Sequence, residues 1–537
     1  MAAANQDPDV QKLHEMGYAQ ELLRKMGGFS NFAVSFTIIS ILSGCMTLYG
    51  YGMVTGGPVE MSIGWPLVGL MVLVVGLAMA ELASSYPTAG GLYYWAAKLG
   101  GDNAPAWSWF TGWFNLLGQV AITAGIDFGL AFFVTAELNL LWPSTFGTGR
   151  GNFLIAFAVV LILHGILNTF GVRLVAMLND ISAYWHVFGV LVIALVLALV
   201  PTHHASASFV FTCLDCVKGG AANTTGFSSL VYVFLLGLLL AQYTFTGYDA
   251  SAHMSEETHN AAKAAPRGIV WSIIISLIAG WILLLAVTFA IQTSHYATES
   301  TAAVPPAQIF LDAIGLKGTE FLLAIIIGAQ FFCGMSSVTA NSRMLYVFSR
   351  DGAVPGSQFW HHINRRTRTP TNSIVFAVVG AFLLGLPYYW NTVAYAAVTS
   401  IATIGLYVAY VTPVFLRLRI GDRFQPGPWS LGRWSKIVGT IAVAWVAVIT
   451  VLFMLPTSYL GSPLDWSTFS WSSFNYTPLA FLVVIGSAGI YWLVSARNWF
   501  KGPQVQGTPE ELAQIERELA GVTAQTPVAP TGLAPAE

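Results

Sequence analysis

The chain has 537 residues, of which 55% are hydrophobic and only 9% are charged, and its mean hydropathy is +0.66. Soluble globular domains carry about a quarter charged residues, so this composition excludes a soluble domain and indicates an integral membrane protein. The formal net charge of −2 argues against a nucleic-acid partner, because nucleic acid requires a basic surface.

Polar segments flank the hydrophobic part of the chain. Residues 1–28 contain Asp, Glu, Lys and Arg, which predicts a cytosolic N-terminal segment with a short interfacial helix rather than a signal peptide. Residues 501–537 are rich in Pro, Ala, Thr, Gln and Glu, which predicts a largely disordered cytosolic tail with a brief helix at 509–519.

Between these segments the apolar stretches predict twelve transmembrane helices, since a helix that crosses the hydrocarbon layer needs about 20 apolar residues. The predicted spans are 30–55, 62–84, 104–136, 153–171, 182–201, 228–250, 269–292, 320–347, 373–387, 389–415, 437–456 and 476–496. The third and eighth spans are long enough to be strongly tilted or to include a neighbouring interfacial turn. The boundary between the ninth and tenth spans, at Leu386-Pro387, is weakly marked.

The positive charges predict the orientation. With the N-terminus inside, every Lys and Arg falls on the cytosolic side except Arg150, Lys218 and Lys317. This asymmetry predicts a multi-pass plasma membrane protein with both termini in the cytosol.

The predicted external loop between the fifth and sixth spans carries two small motifs. Cys213 and Cys216 form a C-x-x-C, which leaves a disulfide or a metal clip open, although a structural zinc site would need a second pair. Asn223-Thr224-Thr225 is an N-glycosylation sequon, which matters only in a host that glycosylates.

Two hydrophobic stretches, 36–57 and 240–251, carry glycines and small polar residues at mid-membrane depth. Glycine frees the backbone, and unwound backbone survives in a bilayer only where protein buries it or where it lines a watery cavity. Two interrupted segments at matching places in two halves of a chain indicate the binding site of a secondary transporter. The alternative is that these glycines only allow close helix packing.

The two breaks differ in chemistry. The residues 42–47 would expose amide N–H groups at the start of a half-helix, which favours a carboxylate. The residues 243–249 offer carbonyls, hydroxyls, aromatic faces and one carboxylate, which suit an ammonium group. Together they predict a site for a zwitterion, or for an amine if the carboxylate end is not used.

Several motifs make the chain similar to permeases of the amino acid–polyamine–organocation superfamily, in its amino acid/choline/GABA permease branch. The resemblance covers roughly residues 29–500 and is carried by Gly56-Gly57-Pro58, the stretch 81–95 (ELASSYPTAGGLYYW), Phe245-Thr246-Gly247-Tyr248-Asp249, Ser255-Glu256-Glu257-Thr258 with Pro266-Arg267, and Asn341-Ser342-Arg343 with Arg350-Asp351-Gly352 and Pro355.

This resemblance implies an all-α polytopic membrane protein with twelve transmembrane helices in a LeuT-like 5+5 inverted repeat. Helices 1 and 6 would be broken, and two further helices would be peripheral. The first repeat would cover 29–205, the second 206–420, and the peripheral spans 421–500. The substrate would sit between spans one and six, flanked by spans three and eight.

The candidate substrate-binding residues follow from the breaks, from that resemblance, and from the polar residues within the spans. They are Ser43, Gly44, Cys45, Met46, Gln242, Tyr243, Phe245, Thr246, Gly247, Asp249 and Asp127. Ionisable residues are expensive inside a membrane, so Asp249 is expected to touch substrate, proton or gate. Asp127 in span three serves either an amine substrate or a polar network.

His186 in span five is the candidate for proton coupling. In sodium-coupled relatives of this fold an ion lies between spans one, five and eight, and in several proton-coupled or uncoupled relatives a span-five lysine takes its place. Span five here has no lysine, and a histidine at about that register titrates near neutral pH. Coupling to H+ is therefore predicted over Na+, with a hydrogen-bonded packing role as the alternative.

Charged residues at the cytosolic ends of the spans predict an inner gate of ion pairs that form and break during transport. The candidates are Glu81, Glu256, Glu257, Arg343 and Arg350. The alternative is that these side chains only snorkel to the interface and set topology.

The predicted function is a secondary active transporter that imports a small amino acid or a GABA-like zwitterion, coupled to protons, by alternating access. Alternatives are a permease for choline or polyamine-type organic cations and, in a different class, a nutrient receptor that does not transport. No H-E-x-x-H, Walker A or G-x-S-x-G motif is present, so no enzyme, catalytic residue, metal or cofactor is predicted. The expected partners are the small-molecule substrate, H+ and membrane lipid, and the expected state is a monomer or weak dimer.

Overall fold

The computed structural model describes residues 7–22, 24–170, 172–214, 225–364, 366–367, 369–463, 465–505 and 507–524. Within them the only extended pairings are two isolated β-bridges, Met26 with Thr258 and Asn364 with Thr369. Cys216, Asn223 and residues 506 and 525–537 lie outside the described residues, and with them the predicted cysteine pairing, the sequon and the end of the predicted tail. The brief helix predicted at 509–519 of that tail is found at Pro509–Ala524.

The regular secondary structure is otherwise helical, and in chain order the α-helices are α1 (Pro8–Glu15), α2 (Gly28–Ile39), α3 (Ile41–Thr47), α4 (Tyr49–Val54), α5 (Trp65–Ser85), α6 (Gly91–Leu99), α7 (Ala104–Leu141), α8 (Arg150–Phe170), α9 (Val172–Leu199), α10 (Ala207–Thr212), α11 (Leu230–Gly237), α12 (Leu239–Thr244), α13 (Ala250–His253), α14 (Ala261–Ala290), α15 (Tyr296–Thr301), α16 (Pro305–Arg350), α17 (Ser357–Trp360), α18 (Thr371–Gly385), α19 (Val393–Ile420), α20 (Ser435–Leu452), α21 (Thr477–Val494) and α22 (Pro509–Ala524). A π-helical turn, Glu60–Gly64, precedes α5.

Eleven helical segments in the described part of the chain are long and apolar enough to cross a membrane, and a shorter apolar segment covers Leu230–Thr244. The eleven overlap predicted spans, and the shorter one overlaps the predicted sixth span, which is cut short by an interruption after Thr244. The all-α, multi-pass class is therefore confirmed, whereas the count of twelve and the inverted repeat stay predictions.

Two uncertain features of the predicted spans have a structural explanation. The eighth span is part of the 46-residue α16. This helix is kinked at Gly315 (φ 71°, ψ 178°), where a preceding helix joins it. A short 3-10 turn, Leu386–Tyr389, separates α18 from α19 at the weakly marked boundary.

The packing separates an inner group of helices from an outer one. α7 packs on both α16 and α19. These helices also contact the broken segments, because α16 packs on α2, α3 and α13, α7 packs on α3, and α19 packs on α12. The outer helices expose large apolar side chains, such as Leu195 on α9 at 57% and Leu482 on α21 at 70% exposure. Such surfaces suit lipid, so the interior of the inner group is where a polar site must be sought.

Candidate functional site

The first transmembrane segment is interrupted at Ser40. α2 ends at Ile39, α3 begins at Ile41, and Ser40 between them has a left-handed backbone with φ 37° and ψ 78°. A left-handed conformation costs a non-glycine residue about 1–2 kcal/mol, so surrounding contacts must hold it. One such contact joins the Ser40 hydroxyl to Nε2 of His186 at 2.7 Å.

His186 is buried beside this break, and its other ring nitrogen lies 2.8 Å from the Ser182 carbonyl. A carbonyl only accepts hydrogen bonds, so Nδ1 carries a hydrogen, and the Ser40 hydroxyl can donate to Nε2 of the neutral ring or accept from Nε2 of the protonated ring. The predicted coupling residue therefore contacts the backbone break directly.

The second interruption lies between Thr244 at the end of α12 and Ala250 at the start of α13. Within it Gly247 has φ 96°, a conformation that glycine adopts without a steric penalty. The Gly247 amide donates to the Tyr410 hydroxyl at 3.2 Å. The unwound segment is thus held by a side chain of α19 inside the protein, as unwound backbone at membrane depth must be.

The two interruptions meet. A Cβ on Gly44 would lie 2.6–2.8 Å from side-chain atoms of Thr244, so only glycine lets α3 and α12 approach this closely. Between α2 and α13, the Ser35 hydroxyl donates to the Tyr248 carbonyl at 2.9 Å and accepts from the Ser251 amide at 2.9 Å.

All predicted substrate-binding residues lie in the protein interior, and all except Asp127 lie on the two broken segments. The buried set is Ser43, Gly44, Cys45, Met46, Gln242, Tyr243, Phe245, Thr246, Gly247, Asp249 and Asp127. The Gln242 carbonyl oxygen accepts from the Trp445 indole at 3.1 Å, and its amide nitrogen has no hydrogen-bond partner among the described residues. The Tyr243 hydroxyl is likewise unpaired within that part of the chain.

One expectation about the first break is corrected. The amides of Ser43 and Gly44 were predicted to point at a ligand, but both donate to the Ser40 carbonyl, at 2.8 and 2.9 Å. The half-helix begins at Ile41, earlier than predicted, because the chain turns at a serine rather than at the glycine. Its positive end therefore lies at Ile41 and Leu42.

Asp249 receives three hydrogen-bond contacts in the second break. The Tyr410 hydroxyl donates to Oδ1 at 2.5 Å, and the Gln119 amide donates to Oδ2 at 3.0 Å. Nε2 of His253 lies 3.2 Å from the same Oδ2. The carboxylate is fully buried and occupied by protein donors, so it joins the break to α7 and α19.

Asp127 lies elsewhere, on α7 opposite α8. Its Oδ1 is 3.1 Å from Nδ1 of His164, and both side chains are fully buried. A Cβ on Gly334 would lie 1.8 Å from Oδ1, so α16 leaves room for this pair by having a glycine there. Of the two predicted roles for Asp127, an amine substrate or a polar network, its position against His164 favours the polar network.

A cavity of about 290 Å³ reaches the first broken span from the predicted external side. Its lining includes Met46 and Thr47 of α3 and the aromatic rings of Tyr51, Phe132 and Tyr395. Gln330 donates to Thr47 Oγ1 at 2.8 Å, so α16 closes the site next to the cavity. None of the described residues that line the cavity carries a charge.

Four of the predicted gate residues lie in two neighbouring groups. Nε of Arg343 is 3.1 Å from Oε1 of Glu257, and both side chains are at most 9% exposed.

Glu256, in the second group, accepts from the Ala89 amide at 3.0 Å. Burial raises the pKa of Glu256 above its ordinary value, although the nearby Arg350 charge acts in the opposite direction. The Arg350 guanidinium lies 4.3 Å from the centroid of the Tyr18 ring.

Glu81 does not belong to this group. It pairs with Arg417 at 3.2 Å and accepts from the Ser435 hydroxyl at 2.5 Å and the Leu431 amide at 3.1 Å. These partners come from α19 and the segment that leads to α20, so Glu81 joins both of them to α5. Its role in the gate stays a prediction, with Arg417 rather than Arg343 or Arg350 as its ion-pair partner.

The N-terminal segment covers the gate residues. The amides of Lys25 and Met26 donate to the Glu257 carbonyl at 3.0 and 2.9 Å, and the Gln20 side chain donates to the Glu256 carbonyl at 2.8 Å. The C-terminal α22 adds to this cover, because Glu516 Oε1 lies 2.8 Å from Nε2 of His14. Opening on this side requires these contacts to separate.

Three site residues escaped the sequence interpretation. Glu60 is buried with an unpaired Oε1, and any Cβ on Gly56 or Gly237 would lie within about 2 Å of it. Glu60 could have been selected as a candidate from the sequence, because it is an ionisable residue at the edge of an apolar span. His253 and Tyr410 carried no signal that distinguished them, since their importance depends on the contact with Asp249.

Comparison with known proteins gives matches along nearly the whole chain. The amino acid permease family model matches residues 26–487. Amino-acid permease BAT1 of Arabidopsis thaliana is 43% identical over 506 residues, which cover 92% of this chain and 95% of that protein. The BAT1 homolog of Oryza sativa subsp. japonica is 44% identical over 520 residues, covering 94% and 96%. The GABA-specific permease of Saccharomyces cerevisiae is 31% identical over 505 residues, covering 93% and 87%.

Proposed function

We propose that this chain, which belongs to the amino acid permease family, imports a small amino acid or a GABA-like zwitterion together with protons by alternating access. Family membership makes it a multi-pass membrane transport protein rather than an enzyme. The observation that supports the mechanism is the meeting of two broken segments at Gly44 and Thr244 beside a cavity from one side. Broken helices at mid-membrane are how such transporters offer main-chain groups to a substrate.

The zwitterion is favoured over an organic cation because Asp249, the carboxylate of the second break, is already hydrogen-bonded. It accepts from Tyr410 and Gln119, so it is not free to bind a quaternary ammonium. Asp127 lies outside the two broken segments, where it faces His164. A small zwitterion needs only helix ends, carbonyls and hydroxyls, which the breaks contain.

A thermal-shift screen tests this ranking. GABA and small neutral amino acids are expected to raise the melting temperature of the purified protein, because a ligand at about 100 times its Kd adds about 2.7 kcal/mol of stability. Choline and spermidine at the same concentrations are expected to leave it unchanged. A shift with choline alone would replace the zwitterion by the organic-cation alternative.

Proteoliposome uptake separates a carrier from a receptor of the same fold. Saturable accumulation of the ligand found in the screen supports transport, whereas binding without flux supports a nutrient receptor. Replacing sodium and collapsing the proton gradient in separate experiments identifies the coupling ion. Uptake that stops only without sodium would rule out proton coupling.

His186 is proposed as a coupling residue because protonation would change its contact with Ser40. In the neutral ring the Ser40 hydroxyl donates to Nε2, whereas in the protonated ring Nε2 donates to that hydroxyl, whose hydrogen must then find another acceptor at the break. His186→Gln is expected to lower the accumulation driven by a gradient of one pH unit about tenfold, the loss of one coupled proton. The measurement is the steady-state accumulation ratio in proteoliposomes with the membrane potential held at zero, and an unchanged ratio would leave His186 a packing residue.

A further inference from the structure

A buried histidine lies against a buried carboxylate at the second break. His253 and Asp249 are both fully buried, and Nε2 of His253 lies 3.2 Å from Oδ2 of Asp249. On the other side of the ring, Nδ1 lies 2.9 Å from the Ala89 carbonyl. A carbonyl only accepts, so Nδ1 carries a hydrogen.

The contact with Asp249 then requires a second hydrogen. A neutral imidazole with Nδ1–H presents a lone pair at Nε2, and an ionised carboxylate presents lone pairs as well. Two acceptors do not attract each other at 3.2 Å, so one proton lies between Nε2 and Oδ2. The donors Tyr410 and Gln119 on the carboxylate favour its ionised form and therefore place this proton on His253.

We propose that His253, paired with Asp249, is a proton-binding site that exchanges its proton during the transport cycle. The inference rests on the proton coupling proposed above and adds a second titrating residue to it. The ligand is a proton, taken from water on one side and released to water on the other. No bond other than N–H forms or breaks.

Loss of this proton has a defined consequence. His253 then keeps Nδ1–H on Ala89, while the Nε2 lone pair faces a carboxylate, and the buried pair changes from net neutral to a net charge of −1. An unbalanced charge in a protein interior is unfavourable, so the pair is driven to separate or to admit water.

The pair of His253 and Asp249 lies next to the loop that contacts the gate residue Glu256, so separation of the pair would affect the gate. Ala89, whose carbonyl holds His253, donates its amide to Glu256 at 3.0 Å. A Cβ on Gly91 would lie 3.3 Å from the His253 ring, so the loop fits closely around the imidazole. Release of the proton would therefore loosen the loop that holds Glu256.

The other titratable groups facing the pair do not replace it. From the described residues these groups are Tyr248 on the break, Tyr407 and Tyr410 on α19, and Glu256 beyond Ala89. The tyrosines act as hydroxyl donors or neighbours near neutral pH, and Glu256 contacts the same loop rather than the imidazole. His253 is the group whose contacts require a proton that it can lose.

The test is the accumulation ratio of GABA, or of the amino acid that gives the largest thermal shift, in proteoliposomes at zero membrane potential. Gln can donate to Asp249 but does not titrate, so His253→Gln is expected to reach a limit about tenfold lower per pH unit than wild type. Counterflow at equal pH on both sides checks that the variant is folded and active. The matched control is His295→Gln, which alters a pair with Asp312 (3.5 Å) whose histidine is 58% exposed.

An accumulation limit in His253→Gln equal to that of wild type would overturn the proposal. If wild-type uptake instead requires sodium and does not depend on the pH gradient, the proposed proton coupling fails. A second measurement then tests whether His253 binds a proton. The melting temperature of ligand-free protein is expected to fall as pH rises, because the folded pair binds the proton, and to fall less in His253→Gln than in His295→Gln. Equal slopes in the two variants would also overturn the site.

Discussion

Gly247→Ala is expected to reduce uptake to background and to lower the melting temperature. The left-handed backbone at φ 96° costs an alanine about 1–2 kcal/mol. The new Cβ would also lie 2.1 Å from Cγ2 of Ile38, and overpacking of this kind costs about 1–3 kcal/mol more. Ile38 is β-branched and lies in α2, so it has little rotamer freedom with which to move away.

The matched control for this variant is Gly28→Ala in α2. A Cβ at position 28 would meet only the Ala264 Cβ at 3.9 Å, an ordinary contact, so wild-type uptake is expected. Radiolabelled uptake and thermal unfolding of the two purified variants are the measurements. Normal uptake by Gly247→Ala would mean that the second break is not needed for transport, and the proposed mechanism would lose its main support.

Arg343→Gln is expected to destabilise the protein by about 3–5 kcal/mol, because removal of one partner leaves the other charge buried and unpaired. The partner is Glu257, at 3.1 Å, and both side chains are at most 9% exposed. The loss should appear as a lower melting temperature and reduced uptake. The variant with both Arg343→Gln and Glu257→Gln is expected to recover part of the lost stability, since no unpaired charge remains.

The pair of Lys317 and Glu320, whose lysine is exposed and whose glutamate is 14% exposed, is the control for this experiment. Its distance is similar, 2.8 Å, but Lys317 is 86% exposed, and exposed pairs contribute about 0–1 kcal/mol. Lys317→Gln should therefore leave stability nearly unchanged. Additive losses in the double variant would show that Arg343 and Glu257 do not act as a pair, which would remove this ion pair from the gate.

The class of the protein followed from the sequence because its signals are local and abundant. Composition and apolar runs identify membrane helices whatever their partners, and the segments in the described residues agree with them. Family membership, too, was carried by short motifs such as the stretch 81–95 and Phe245 to Asp249, and the family match confirms it. The second break could be located to within a few residues, since Gly247 is the residue that takes the positive φ.

The tertiary structure decided which side chains meet, because those contacts join residues far apart in the chain. The first turn lies at Ser40 rather than at Gly44, and His186 on α9 contacts it. The ion-pair partner of Glu81 could not be identified from the sequence, because Arg417 is more than 300 residues away in the chain.

The same limit explains why His253 was overlooked. Its spacing from Asp249 places both on one helical face, but the need for a proton between them arises only when the Ala89 carbonyl occupies the other ring nitrogen. Composition and glycine pattern therefore determined that this chain crosses the membrane with interrupted helices. Packing across distant spans determined where its buried charges pair, because the free energy of a buried charge depends on neighbours that the linear sequence does not identify.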